Sequence, residues 1–201
     1  MPKRFLIPLA GLALLTLQTF AKPNSESYLK IKQRYSEIQT NLKNQHYVTQ
    51  RFTDVRFGDE VVTGYFKNNR IELIVSETFG EIGKIRHEYY FDKNGELIIA
   101  SNQLFKYTEG DANLNLVKVN ENRYYYTQKR LVKWMNERNQ LLNIHHPDAL
   151  PRSRYMLGKS IMLTAKLKER RNDEVIGQYQ QNSNAPQFER GQHAECYQSG
   201  S

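Results

Sequence analysis

The chain has 201 residues, of which 39% are hydrophobic and 25% charged, enough for one polar globular domain and too polar for a polytopic membrane protein. Lys and Arg number 29 against 21 Asp and Glu, a formal net charge of +8. Thirteen tyrosines make the aromatic share, 11%, high for so polar a chain, so the core is expected to be small and aromatic-rich.

Residues 1–21 read as a signal peptide. Lys3 and Arg4 give a positive start, residues 5–17 are an uncharged apolar run, and Thr19-Phe20-Ala21 supplies a cleavage site after Ala21. The run is shorter than the roughly 20 residues a spanning helix needs, and Pro8 interrupts it, so no stable membrane insertion is expected after cleavage. The destination is periplasmic or secreted. Cleavage leaves 180 residues with a net charge of +6, a moderate excess that does not point to nucleic acid. With Cys196 the single cysteine, no internal disulfide is available.

The order expected after the leader is helix, sheet, helix, tail. Tyr28, Ile31, Tyr35, Ile38 and Leu42 recur at steps of three and four, predicting a helix over 25–42 with Lys30, Lys32, Arg34 and Glu37 off its apolar stripe. From residue 47 to 135, β-branched and aromatic runs alternate with turn residues, at 47–55, 61–67, 71–79, 84–91, 96–107, 123–126 and 130–135. Such short connections leave no room for crossover helices, so the prediction is a curved antiparallel meander of about six or seven strands. A second helix is expected over 154–171, docked at the sheet's edge or second face. From residue 172 the Gln, Asn and Ser content predicts a disordered tail. The fold class is therefore α+β, a single domain over 22–171.

Three hairpin segments repeat one plan: Tyr65-Phe66 before Asn68-Asn69, Tyr90-Phe91 before Lys93-Asn94-Gly95, and Tyr125-Tyr126 before Gln128-Lys129. Alternation puts the two rings of each doublet on opposite faces. Phe66 and Phe91, lacking a hydroxyl, are the expected core members, and Tyr65, Tyr90 and Tyr125 the expected exposed row and candidate binding residues. Through Tyr89, Phe91, Asp92, Gly95 and Leu97, the second segment resembles one tyrosine-aspartate (YD) repeat. The leading helix followed by GEIGKIRHEYYFDKNGELI resembles small exported bacterial proteins to which no function is assigned. That resemblance implies a bacterial, Gram-negative source and no particular reaction.

Chemistry-bearing residues are few. His145-His146 with Asp148 sits in a Pro-bounded loop, where adjacent side chains rarely converge on one ion, and His193-x-x-Cys196 offers two ligands only. No metal site and no cofactor are therefore expected. His87 and Glu88 must face opposite ways on a strand. Glu72, Glu77, Glu81, Glu88 and Glu96 single out no carboxylate pair, and serine-hydrolase elbows, phosphate loops and dinucleotide glycine runs are absent. The reading is an exported, non-catalytic binding or structural protein of the bacterial envelope whose partner is an envelope polymer or protein. Two others stand behind it: an inhibitor or immunity-like partner of one enzyme, and a small periplasmic hydrolase using His87, His145 and His146.

Overall fold

The computed structural model describes residues 25–55, 58–108 and 115–183. The leader, His193 and Cys196 lie outside them. Helix α1 (Ser25–Lys43) leads into eight strands, β1 (Val48–Asp54), β2 (Glu60–Lys67), β3 (Arg70–Gly80), β4 (Gly83–Phe91), β5 (Leu97–Tyr107), β6 (Leu116–Thr127), β7 (Arg130–Asn136) and β8 (Leu141–Leu142), and the long helix α2 (Ala149–Ser183) follows. The strands pair antiparallel in sequence order, β1 to β8, in one open sheet.

The turn residues determine the pairings. Asn68 and Asn69, with φ of 51° and 61°, and Gln128 and Lys129, with 51° and 62°, make two-residue left-handed turns whose twist matches that of the flanking strands. In the middle copy Asp92 Oδ1 accepts the backbone N–H groups of Asn94 and Glu96 at 2.9 and 2.8 Å. Gly95 supplies the positive φ of 81° there.

The three copies also share an irregularity. The register slips between Tyr65 and Phe66, between Tyr90 and Phe91, and between Tyr125 and Tyr126. Each slip leaves one unopposed residue on the returning strand: Glu72, Ile98 and Val132. Such a bulge breaks strict alternation and sharpens the local twist. Ile98 and Ile99 accordingly share one core, and Glu72 and Leu73 both meet α1.

Each face of the sheet carries its own helix. On one, Ile74, Tyr89, Ala100, Tyr124 and Trp134 are register partners in a continuous row, and Met156, Leu163 and Leu167 of α2 pack with them. On the other, Tyr65, Leu73, Tyr90, Ile99 and Tyr125 form a second row against Ile31 and Ile38 of α1. Phe66 and Phe91 are buried as expected, at 2% and 4% exposure. Tyr90 and Tyr125 are buried too, at 2% and 6%, and Tyr65 is half-buried, so the expected exposed row is corrected. Alternation places these tyrosines on one line, but α1 lies along it: Tyr28 meets Tyr125 and Tyr35 meets Tyr90 edge to face, with centroids 5.6 and 4.9 Å apart.

Other boundaries also differ from expectation. Strand β6 begins at Leu116, its first half pairing with β5 while staying largely exposed, Val117 and Val119 included. Helix α2 starts at Ala149, with Pro151 in its first turn, where a missing N–H costs nothing. It also continues to Ser183, beyond the limit expected at residue 171. A helix closes its backbone hydrogen bonds locally and needs no apolar composition for that.

Candidate functional site

On the α2 face, beyond the apolar row, the next residues of successive strands are Ser76, His87, Asn102, Asn122 and Asn136, each the register partner of the one before. Helix α2 crosses part of this polar row and leaves the rest open. The open part is a cleft of about 370 Å³ lined by Asn102, Tyr124, Pro151, Arg152, Tyr155 and Met156. Helical spacing aligns Arg152, Tyr155, Met156 and Lys159 on the side of α2 turned to the sheet.

The walls of the cleft are braced. Tyr124 stacks on Trp134 at 5.9 Å and 14°, and the indole Nε1 donates to Asn122 Oδ1 at 3.0 Å. Asn122 in turn donates to Asn120 Oδ1 at 2.8 Å. Arg152 Nη2 sits 3.3 Å from Asp148 Oδ2. Burial raises the Tyr124 hydroxyl above its ordinary pKa, and neighbouring Arg152 pulls the other way. Tyr155 is 56% exposed. Asn102 makes no side-chain hydrogen bond among the described residues, so its amide keeps full donor and acceptor capacity toward the cleft.

Deeper under α2 lies a buried polar cluster. Lys159 Nζ is 2.5 Å from Glu60 Oε1, their side chains 8% and 0% exposed, and Lys159 also donates to the Tyr155 hydroxyl at 3.4 Å. A buried ion pair offsets its desolvation only when held this closely. The His87 ring lies between Tyr89 and Tyr155, with centroids 6.2 and 6.4 Å away. Burial, with the Lys159 charge adding to it, lowers its pKa from the usual 6.5 to about 4, so the imidazole is neutral at ordinary pH. Ser76 Oγ and the Tyr89 hydroxyl are buried without a hydrogen-bond partner among the described residues.

The histidines of the hydrolase reading occupy separate settings. His87 is buried at 8%, His145 is exposed in the loop before α2, and His146 meets the Trp134 ring at 6.3 Å. Among the described residues no group of three or more His, Cys, Asp or Glu side chains is placed to hold a metal. His87 and Glu88 do face opposite ways, Glu88 accepting from Arg86 Nε at 2.8 Å and from the Tyr90 hydroxyl at 2.7 Å on the α1 side. Glu72 is buried and held 2.8 Å from Arg34 Nη2.

Arg152, Tyr155 and Asn102 were not singled out by sequence reasoning. The available signal was Pro151, whose fit to a first helical turn would have started α2 before Arg152 and placed Arg152 one turn from Tyr155 and Met156. No protein-family model matches the chain, and no curated protein or solved structure matches it either.

Proposed function

We propose that this is an exported, non-catalytic binding protein of a bacterial envelope and that it holds its partner in the cleft at the start of α2. The observation carrying this reading is the pairing of the exposed Tyr155 ring with the unused amide of Asn102 across an open cleft. Fold stability requires neither group to be placed so, whereas recognition requires both an apolar plate and spare hydrogen-bonding capacity. The tyrosine row Tyr65, Tyr90 and Tyr125 supports α1 in this reading and touches no partner. Export rests on the leader pattern of residues 1–21.

The test is affinity capture from a detergent-free envelope fraction with immobilised mature protein, comparing wild type with the double substitution Arg152→Ala and Tyr155→Ala. Both side chains are exposed by half or more, so the variant should fold. Loss of the captured component is the expected result. Equal recovery by both proteins would move the binding surface elsewhere.

A further inference from the structure

We infer that the end of the sheet carrying the β2–β3, β4–β5 and β6–β7 turns lies against an anionic lipid surface, adsorbing to it without insertion; the choice of a membrane as partner rests on the export reading of residues 1–21. A meander in sequence order puts alternate turns at opposite ends, so these three turns stand side by side. Successive ones are two strands apart, roughly 10 Å at the usual strand spacing of about 4.8 Å.

Charge divides between the two ends. Lys67 and Arg70 flank the first turn, Lys93 lies in the second, and Lys129 and Arg130 stand at the third. Lys93, Lys129 and Arg130 are exposed and form no ion pair among the described residues. Of the carboxylates nearby, Asp92 Oδ1 holds its own turn and Glu37 sits 3.0 Å from Arg34 Nη1, which leaves Glu96. The turns at the opposite end carry the exposed Asp59, Glu81 and Glu137 against one cation, Arg138, among the described residues. The molecule therefore presents a positive potential at one end only.

The layout fits a plane better than a groove. Lys43 closes α1 on one face of the sheet, and Arg171 of α2, on the other face, donates to Asn69 Oδ1 at 2.8 Å. Cations thus border the row of turns on both sides, where a headgroup surface meets all of them and a single polyanionic strand would follow only one line. The turn residues are Asn, Gln, Lys, Gly, Asp and Glu, so nothing apolar there would enter hydrocarbon. The chain also arrives from this end: Ser27 and Lys30 of α1 share a depression with Asp92, Glu96, Thr127 and Gln128. Seven residues, 18–24, separate Ser25 from the apolar run 5–17, a reach of at most about 25 Å at roughly 3.5 Å per residue. A leader seated in a bilayer keeps the basic end within that distance of the headgroups.

The test is cosedimentation of the mature protein with vesicles of phosphatidylcholine containing one-third phosphatidylglycerol, with vesicles of phosphatidylcholine alone, and binding to dextran sulfate as the soluble polyanion. The expected result is saturable binding to the anionic vesicles at about 0.05 M salt, lost at about 0.5 M, and none to the neutral ones. Replacing Lys93, Lys129 and Arg130 together by Gln should weaken it about a hundredfold. Replacing Lys106, Lys118 and Arg138 by Gln removes the same charge from the opposite end and should change it by less than about twofold. All six side chains are exposed, and circular dichroism confirms that both variants are folded. Absence of binding to anionic vesicles, equal binding to neutral ones, equal weakening by the two variants, or retention of dextran sulfate alone would each overturn the inference. Such a result leaves the export reading standing; that reading fails separately, on cell fractionation, if the chain stays uncleaved in the cytoplasm.

Discussion

Phe91 and Tyr90 are neighbours in sequence, yet each is anchored in a different core. Replacing either buried ring by alanine leaves a cavity in a packed core, and each should cost on the order of 3–5 kcal/mol. Denaturant midpoints of the two variants check this, and a mild Tyr90→Ala would mean that α1 does not seal its face. Arg34 makes a related point: it bonds Glu72 at 2.8 Å, Glu37 at 3.0 Å and the Phe91 carbonyl at 3.2 Å. Its place off the apolar stripe suggested a solvated residue, because periodicity cannot show that an arginine reaches round its helix to a buried partner. His87 carries the acid response. Its folded pKa lies below its unfolded one, so its stabilising contribution is complete above pH 6.5 and is lost as pH falls toward about 4. The loss is on the order of 3 kcal/mol, at 1.36 kcal/mol per pKa unit. Between pH 6.5 and 4.5, above the range where the paired carboxylate Glu77 takes up its proton, His87→Gln should flatten the stability curve. Urea melts at stepped pH measure it.

Among the elements, the hairpins were the most legible, since Asn-Asn and Lys-Asn-Gly between aromatic and branched runs specify both a reversal and its register. The turn Gln128-Lys129 adopts the same left-handed pair of φ angles without a residue suited to them. Lys129→Gly should therefore stabilise the fold by about 1 kcal/mol, visible as a raised melting temperature. Gly64 lies directly under the Leu167 side chain of α2: a Cβ there would lie 2.7 Å from Leu167 Cδ1 and 2.9 Å from Cδ2. Leu167 is fully buried and has nowhere to withdraw, so Gly64→Ala should cost roughly 1–3 kcal/mol. Hydrogen exchange should show the loss concentrated in the α2 half of the interface, and a neutral substitution would show that the helix can lift without penalty.

For the whole molecule, alternation correctly divided the three aromatic doublets between two faces and said nothing about what covers them. Tyr65, Tyr90 and Tyr125 do lie in one line, but the occupant of that line, α1, is specified by its own stripe of Ile31, Tyr35 and Ile38. The cleft was illegible for a different reason. Asn102 sits on β5 while Arg152 and Tyr155 come from the first turns of α2, some fifty residues later, and neither segment has a pattern naming the other. Only the assembled packing puts them together.

The sheet's unbroken β1-to-β8 order bears on how the chain folds. Every strand pairs with one it has just followed, so the sheet can zip forward hairpin by hairpin with little loop-closure entropy at each step. The last partner to arrive is α2. Until it does, the row through Ile74, Tyr89, Tyr124 and Trp134 faces solvent as a continuous apolar band. A chain emerging N-terminus first would therefore pass through a nearly finished but adhesive sheet, and its escape from aggregation would hang on how quickly the C-terminal helix docks.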